Sequence, residues 1–273
     1  MLVRLWAPYC SWSLGRYCEK AFKQLGHSVA ISDFRARSLT DADLSGDLVF
    51  VIKGSSDIIP FLTRVKVKKA LWFPDDPHGE SLPVLLAPYF DYIFTGHKPQ
   101  VEWYNAQGLS AFWLPFACDP DVHRPFWALR KYDFVFIGNL DSDRQSFFEW
   151  LSKSFSVLFR AGVFLEDMSR AYCSGGIGIN ISKAKEITMR VFEIMACNVL
   201  LFTDSSDNCI SDLGLLPEEH FVVYSRENVI NLGKKYLCNG SLQAKIARNG
   251  YELVRECHTY KHRMQELLRI CFG

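Results

Sequence analysis

Residues 178–204 read GINISKAKEITMRVFEIMACNVLLFTD, and this stretch decides the fold. Its pattern predicts a strand over Gly178–Ile181, a short polar loop, a helix over Glu186–Cys197 and a second buried strand over Val199–Phe202. Parallel strands need such a crossover, and ligands of α/β sheets bind where strand carboxyl ends meet helix N-termini. The sequence therefore predicts one βαβ unit with a ligand site in the loop after its first strand.

The loop of this unit, residues 182–185, carries groups that suit a phosphate. Its sequence SKAK brings a hydroxyl group, ammonium groups and backbone N–H groups to the positive end of a helix dipole. In the helix that follows, Arg190 and Glu193 stand one turn apart on one face. They form either a surface ion pair worth about 0.2–0.5 kcal/mol or two charged groups aimed into a cleft. Asn198 follows the helix at a position that needs a positive φ. Gly adopts this conformation most readily, and Asn is the next best residue.

Length and composition describe a globular protein of two α/β domains. The chain has 273 residues, of which 49% are hydrophobic and 22% charged, so extended disorder is excluded. This length accommodates two domains of about 120 to 150 residues each. The net charge of +1 is far from the basic footprint of a typical nucleic-acid binder, although a local basic patch stays open.

Cysteine usage and apolar patterning predict a cytoplasmic location. The nine cysteines are odd in number, scattered and without a CxxC pair, which predicts reduced thiols rather than disulfides or a zinc site. The N-terminal MLVRLWAPYC has too short an apolar run for a signal peptide. The longest other apolar stretch, Leu82–Phe94, is interrupted by two prolines, and a membrane span needs about 20 apolar residues. We expect no transmembrane helix.

The first half of the chain repeats the βαβ pattern, with buried strands predicted over Leu2–Trp6, Leu48–Ile52 and Lys69–Phe73. Such unbroken apolar runs are typical of a parallel sheet covered on both faces. The loop after the first strand lacks GxGxxG, which disfavours dinucleotide binding. Asp76, in PDDPH after a strand, either supplies a base or builds a turn. His97 also follows a predicted strand and is either structural or in contact with substrate.

A proline-rich segment without periodicity, residues 114–125, is the predicted domain boundary. It divides the chain into an N-terminal domain over residues 1–125 and a C-terminal domain over residues 126–273 that includes the final helix. His258 and His262 in the last part stand four apart, as on one edge of a metal site, but no third ligand stands near them. We assign both to helix-end packing and expect no metal.

The second domain opens with the buried strand YDFVFIG, residues 132–138, which runs into Gly138 and Asn139. Gly138 permits close approach of the backbone to a ligand. Arg144, in the first turn of the next predicted helix, either reaches a phosphate or remains a surface charge. The loop after this strand is therefore a second candidate for contact with a phosphate.

The order of residues in the opening stretch resembles CgeB-like glycosyltransferases, a branch of the GT-B glycosyltransferases. That family reads Asn…Thr-x-Arg-x-Phe-Glu-x-x-Ala-Cys-Gly, and the matching positions here are Asn180, Thr188, Arg190, Phe192, Glu193, Ala196 and Cys197. The segments at residues 72–77 and 258–263 are also similar to that family, and residues 114–125 resemble the linker that precedes the second domain in many GT-B enzymes. Asn198 replaces its usual Gly. Glu186 stands seven rather than eight positions before Glu193, so the paired glutamates of many retaining GT-B enzymes are absent.

The resemblance implies a GT-B fold: two Rossmann-like, doubly wound α/β domains facing a cleft, with a reduced N-terminal domain. It implies a hexosyltransferase-like enzyme that moves a sugar from a nucleotide-diphosphate sugar to an unidentified acceptor. That acceptor is a glycan, a small molecule, a protein or a modified nucleic acid. The resemblance also implies no cofactor and no metal, because GT-B enzymes use positive side chains and helix dipoles instead.

The resemblance also assigns roles to individual residues. Glu193 accepts hydrogen bonds from the donor ribose, and cationic groups balance the departing diphosphate, which is usually the largest catalytic contribution. The implied donor-binding residues are Gly138, Asn139, Arg144, Asn180, Lys185, Thr188, Arg190 and Glu193. Arg190 is also assigned a catalytic role together with Asp76 and His97. Tyr9 and Trp12, after the first strand, either contact the acceptor or pack under their own loop.

Three other functions stay open at this point. A non-catalytic module could bind a nucleotide or sugar nucleotide, with Arg190 and Glu193 paired only to each other. An epimerase of the same fold would convert the donor without an acceptor. A glycosyltransferase that modifies nucleic acid would bind DNA in a salt-dependent way.

Overall fold

The computed structural model describes residues 1–75, 81–183, 186–204 and 208–273. Contacts divide the chain into two compact units. Unit 1 comprises Met1–Phe116 and Tyr260–Gly273, and unit 2 comprises Ala117–Thr259. The division falls at Phe116 rather than at residue 125, and it places the final helix in unit 1 rather than in the second domain.

Strands and helices alternate along most of the chain. The strands are β1 Leu2–Trp6, β2 Ser28–Ser32, β3 Leu48–Ile52, β4 Lys68–Phe73, β5 Tyr92–Thr95, β6 Ala111–Trp113, β7 Tyr132–Ile137, β8 Val157–Arg160, β9 Gly175–Asn180, β10 Leu200–Thr203 and β11 Val222–Val223. The helices are α1 Leu14–Gln24, α2 Ile59–Leu62, α3 Ser81–Leu86, α4 Lys98–Ala106, α5 Ser142–Leu151, α6 Leu165–Cys173, α7 Met189–Ala196, α8 Val229–Cys238, α9 Gly240–Cys257 and α10 Tyr260–Phe272. Within the described ranges, no helix is both long enough and apolar enough to cross a membrane.

Unit 1 is built on a parallel sheet in the order β2-β1-β3-β4-β5-β6. All five residues of β3 are buried, as expected for a central strand with both faces covered. The last helix, α10, packs on α1, where the rings of Tyr17 and Tyr260 stack with centroids 5.1 Å apart. Arg263 of α10 donates from Nε to the carbonyl oxygen of Pro115 at 3.0 Å. These contacts explain why the final helix belongs to unit 1.

Unit 2 is built on a parallel sheet in the order β11-β10-β9-β7-β8. Its central strand β9 begins at Gly175, three residues before the predicted start at Gly178. A Cβ atom at Gly175 would lie 2.4 Å from Val135 Cγ2, and one at Gly178 would lie 2.4 Å from Ile194 Cγ2. Glycine therefore occupies these positions because neighbouring side chains pack directly on the strand backbone.

Helix α7, which carries the predicted site residues, is shorter than the sequence pattern indicates. It begins at Met189 rather than at Glu186, with Thr188 at its N-cap. Glu186 lies in the preceding loop and accepts a hydrogen bond from the Lys183 N–H at 3.1 Å. Asn198 follows the helix with φ of 56°, which confirms the left-handed conformation expected there.

Candidate functional site

The carboxyl ends of β7 and β9 hold the side chain of Arg190 in unit 2. Arg190, the second residue of α7, donates from Nε to the Ile137 carbonyl oxygen at 2.9 Å and from Nη1 to Asn180 Oδ1 at 2.6 Å. Its guanidinium carbon lies 4.7 Å from the ring centroid of Phe136, within cation–π range. Arg190 is therefore fixed by the sheet edge, and the interpretation as a surface ion pair with Glu193 is wrong.

Asn180 organises the polar groups around this arginine. The residue is fully buried, and its Oδ1 also accepts from Thr188 Oγ1 at 2.8 Å. Its Nδ2 donates to Thr203 Oγ1 at 3.0 Å, at the end of β10. The backbone oxygen of Asn180 accepts from the Tyr224 hydroxyl at 3.0 Å. A fully bonded network of this kind is rigid; we call Asn180, Thr188, Arg190 and Thr203 the Arg190 cluster.

Gly138 and Arg144 complete the positive side of the cluster. A Cβ atom at Gly138 would lie 2.6 Å from Arg190 Nη2, so glycine makes room for the guanidinium. Arg144, only 7% exposed, donates to the carbonyl oxygens of Asn139 at 3.1 Å and Ile181 at 2.6 Å. Burial and then the charge of Arg190 lower the pKa of Arg144. Two arginines that repel each other at a helix N-terminus favour an anion there.

A cavity of about 510 Å³ opens beside Arg144, a size within the usual range for small-molecule sites. Its lining contains both positively and negatively charged side chains. Lys183 Nζ lies 3.0 Å from Asp141 Oδ2, and Asp141 also caps α5 by accepting from the Arg144 N–H at 3.0 Å. Asp204 accepts from the Ser182 N–H at 2.9 Å. Burial raises the pKa of the Asp204 carboxyl group.

Glu193 faces a buried histidine that sequence reasoning missed. Glu193 is 5% exposed, and burial raises its pKa to about 7 although the charge of Arg190 acts in the opposite direction. His123 is fully buried and accepts at Nδ1 from the Asp119 N–H at 3.0 Å. The neutral ring therefore carries its proton on Nε2, which lies 3.6 Å from Glu193 Oε1.

Tyr9 and Trp12 have different surroundings in unit 1. The hydroxyl of Tyr9 donates to Glu19 of α1, and its backbone N–H donates to Asp33 Oδ2 at 3.0 Å. Burial, followed by this hydrogen bond, raises the pKa of Tyr9 to about 12. Trp12 is 47% exposed, so it does not pack under its loop. Contact of either residue with an acceptor stays a prediction.

His97 lies at the N-cap of α4 and is 8% exposed. The backbone N–H of His97 donates to Thr95 Oγ1 at 3.1 Å. A Cβ atom at the preceding Gly96 would lie 2.0 Å from the Pro74 oxygen, so the loops after β4 and β5 touch. Tyr9 follows β1, which lies three strand positions from β5, so the ends of these two strands are about 14 Å apart.

Two predicted site residues, Asp76 and Lys185, lie outside the described residues. For the part of the chain that is described, no three His, Cys, Asp or Glu side chains are arranged to hold a metal ion. His258 Nε2 lies 2.8 Å from the Leu213 carbonyl oxygen, and its ring lies 5.7 Å from that of Phe192. These contacts agree with the expected helix-end packing of His258. Metal independence stays a prediction.

The glycosyl transferase-like family matches residues 122–269, which is more than half of the chain. The chain therefore belongs to this family of glycosyl transferase-like proteins. No curated protein matches the sequence. The CgeB-like subtype stays a prediction.

Solved structures of low sequence identity share the fold. Sucrose-phosphate synthase from Thermosynechococcus elongatus matches with a TM-score of 0.67 and 12% identity, over 99% of each chain. HepE from Anabaena, solved in complex with UDP, matches with a TM-score of 0.68 and 10% identity, over 99% of each chain. TarM from S. aureus matches with a TM-score of 0.61 and 10% identity, over 82% of this chain and 55% of its own. The expected GT-B fold with two Rossmann-like parallel-sheet domains is confirmed.

Proposed function

We propose that the protein transfers a sugar from a nucleotide-diphosphate sugar to an acceptor, with the donor diphosphate bound at the Arg190 cluster. The observation that carries this proposal is the placement of Arg190 and Arg144 at the carboxyl edge of the unit 2 sheet. Both guanidinium groups are held by main-chain oxygens, and Arg190 also by the Asn180 amide. Because these acceptors are neutral, the positive charges stay available to an anion.

The class of donor is supported by what the structural neighbours contain. Structures of HepE hold UDP or UDP-glucose, and the TarM structure also holds UDP. Binding of a nucleoside diphosphate fits a site with two arginines, a helix N-terminus and an adjacent cavity. The base and the sugar of the donor used by this chain are not fixed by these neighbours.

In the proposed reaction, the bond between the sugar C1 and the diphosphate oxygen breaks as an acceptor oxygen bonds to C1. The nucleoside diphosphate leaves with the negative charge, which Arg190 and Arg144 stabilise without a metal ion. Glu193 accepts from the ribose hydroxyls. A general base removes the acceptor proton, and we propose Asp76 or His97 for this step. Tyr9 and Trp12 would contact the acceptor.

Release of nucleoside diphosphate from a panel of UDP-, GDP-, ADP- and dTDP-sugars, with pooled acceptors, tests this proposal. We expect release of nucleoside diphosphate from the sugar nucleotides of one base. In the Arg190→Ala variant the rate of this release should fall about 10²-fold or more. Arg248→Ala is the matched control, because Arg248 lies on α9 and pairs with Glu252 at an exposed position. Donor binding without release in any mixture would instead support a non-catalytic binding module.

A further inference from the structure

His123 is a fully buried histidine of unit 2 to which the proposed transfer reaction assigns no role. It ends the turn over residues 119–123, in which the Asp119 carbonyl oxygen accepts from the N–H groups of Val122 at 3.1 Å and His123 at 2.7 Å. The ring folds back on this turn, because its Nδ1 accepts from the Asp119 N–H at 3.0 Å. Ser169 Oγ of α6 donates to the Val122 carbonyl oxygen at 2.9 Å. The imidazole is therefore fixed from its backbone and from Nδ1.

The other ring nitrogen of His123 faces Glu193. An N–H donor needs an unprotonated nitrogen as its acceptor, so the neutral ring keeps its proton on Nε2. Nε2 lies 3.6 Å from Glu193 Oε1. This distance is longer than a hydrogen bond, but the N–H dipole and the carboxylate are both buried, where such interactions are stronger than in water. Hydrogen bonds of reaction sites are often long without ligand and tighten in the complex.

The other polar neighbours of Glu193 are engaged elsewhere. Arg190, one turn earlier on α7, acts on Glu193 through its charge, but its Nε and Nη1 donate to neutral groups at the sheet edge. The hydroxyl of Tyr172 on α6 donates to the Ile137 carbonyl oxygen at 3.3 Å. His123 thus supplies an N–H group that faces the Glu193 carboxylate from a rigid turn.

We propose that His123 is a positioning residue that orients the Glu193 carboxylate toward the 2′-hydroxyl of a donor ribose. The inference rests on the proposed function, in which Glu193 accepts from the ribose hydroxyls. A carboxylate has lone pairs on two oxygens, so Oε1 can face His123 while the other oxygen accepts from the ligand. A 2′-deoxyribose would leave the oriented, buried carboxylate without this partner, which is costly. The site therefore selects ribonucleotide donors over 2′-deoxyribonucleotide donors.

Two substitutions of His123 separate this role from a merely structural one. In His123→Asn, the amide oxygen takes the place of Nδ1 and keeps the bond from the Asp119 N–H, while the donor toward Glu193 is lost. In His123→Gln, the longer side chain keeps an N–H donor toward Glu193, while the bond from Asp119 is lost. If the ring served only the turn, His123→Asn would be the milder change. If it positions Glu193, His123→Gln preserves ribose recognition better.

The experiment titrates the whole protein by calorimetry with UDP, GDP, ADP and ribothymidine diphosphate, each paired with its 2′-deoxy form. It is done at pH 8, where Glu193, with a pKa of about 7, is mostly ionised. For the diphosphate that binds, we expect the wild type to prefer the ribose form about thirtyfold, the effect of a hydrogen bond to a charged group. His123→Asn should lower this ratio about fivefold, and His123→Gln should preserve it. Glu193→Ala should bring the ratio close to one.

Three results would overturn the role of His123: a wild-type ratio close to one, an unchanged ratio in folded His123→Asn, or a lost ratio in folded His123→Gln. Binding of no diphosphate would overturn the proposed function together with this inference, so the two failures are distinguishable.

A measurement on the wild type decides the matter if neither variant folds. In NMR spectra of protein labelled with ¹⁵N-histidine, we expect His123 to carry its proton on Nε2. The resonance of that proton should move downfield when the ribose form binds, because the hydrogen bond to Glu193 tightens, and should move less with the 2′-deoxy form. A proton on Nδ1, or the same shift with both forms, would overturn the proposal.

Discussion

At the carboxyl ends of the two sheets, the cationic side chains have different hydrogen-bond partners, although both sheets are parallel and follow the same strand–helix alternation. At the unit 1 edge, charged side chains neutralise one another. Arg37 Nη2 lies 2.8 Å from Asp43 Oδ1 after β2, and Lys53 Nζ lies 2.6 Å from Asp75 Oδ2 between the ends of β3 and β4. Both of these cations are therefore paired with carboxylates.

At the unit 2 edge, Arg190 and Arg144 donate their hydrogen bonds to neutral acceptors. Arg190 is bonded to the Ile137 carbonyl oxygen and the Asn180 amide, and Arg144 to two carbonyl oxygens. Under the proposed function, the fold supplies the position of each cation, and a neutral partner leaves the charge of Arg190 and Arg144 to an anion. Four substitutions test this account, and the three that concern diphosphate affinity follow in order of decreasing expected effect.

Of these three, Gly138→Ala should reduce diphosphate affinity most, because its Cβ would lie 2.6 Å from Arg190 Nη2. The guanidinium is the far end of a flexible side chain, so it would shift while the fold survives. We expect nucleoside diphosphate affinity to fall about thirtyfold, the value of a lost charge-assisted hydrogen bond of about 2 kcal/mol. Gly240→Ala is the control, since a Cβ there meets nothing within 4 Å. Calorimetric titration measures the nucleoside diphosphate affinity of both variants. If Gly138→Ala and Gly240→Ala bind equally tightly, Gly138 does not have the role described.

Glu193→Gln should change how stability depends on pH. Because burial raises the folded-state pKa of Glu193 to about 7, wild-type stability is complete below the unfolded pKa of about 4.3 and falls as pH rises through 7. Glutamine lacks this dependence. The stability of the variant relative to wild type should therefore rise by about 3.5 kcal/mol between pH 4 and pH 8 in urea titrations. Glu252→Gln, at a half-exposed position, should show no comparable rise, and a flat difference for Glu193→Gln would refute a buried, proton-binding carboxyl.

Asn180→Asp would give Arg190 a carboxylate partner in place of a neutral amide, as Arg37 has in unit 1. The new carboxylate would accept from Arg190 as Asp43 does from Arg37 and would neutralise it. We expect Arg190 to remain in place and diphosphate affinity to fall about tenfold, or about 1.4 kcal/mol. Thermal unfolding serves as the control for an intact network. Unchanged affinity in a stable variant would show that the neutrality of Asn180 is unimportant.

Asp43→Asn should have the smallest effect and should leave diphosphate affinity unchanged. The hydrogen bond from Arg37 lowers the pKa of Asp43, so its stabilisation is present above the unfolded pKa of about 3.9 and is lost as pH falls below it. Arg37 is 47% exposed, and solvent screening limits the loss at pH 7 to about 1 kcal/mol. Because the folded-state pKa lies well below the unfolded value, urea titrations should show a smaller loss at pH 2.5 than at pH 7. A reduced diphosphate affinity in this variant would break the contrast between the two edges.

The parts of the fold that were predictable depend on local patterns. The continuous apolar run Leu48–Ile52 specifies a strand buried on both faces, and Asn198 after an apolar helix specifies the left-handed residue that ends it. Arg144, Asn180 and Arg190 follow strand ends or begin helices, where parallel sheets bring side chains together. The convergence of these three residues could therefore be predicted from their order in the sequence.

The parts that were missed depend on contacts between distant residues. Gly175 and Gly176 have the composition of a turn, but they form a strand because Val135 packs against the backbone there. Tyr17 stacks on Tyr260 and packs the last helix against α1 of unit 1. The apolar periodicity of either helix does not reveal this contact. His123 lies in a segment without periodicity, so nothing in the sequence pointed to its contact with Glu193.

The most direct test of the central claim, that Arg190 holds an anionic diphosphate, is calorimetric titration of UDP, GDP, ADP and dTDP into the wild type, Arg190→Ala and Arg248→Ala. The account predicts that one diphosphate binds the wild type and the Arg248→Ala control equally, and that Arg190→Ala binds it at least about thirtyfold more weakly while remaining folded. Binding of that diphosphate to Arg190→Ala with wild-type affinity, or binding of none of the four to the folded wild type, would contradict it.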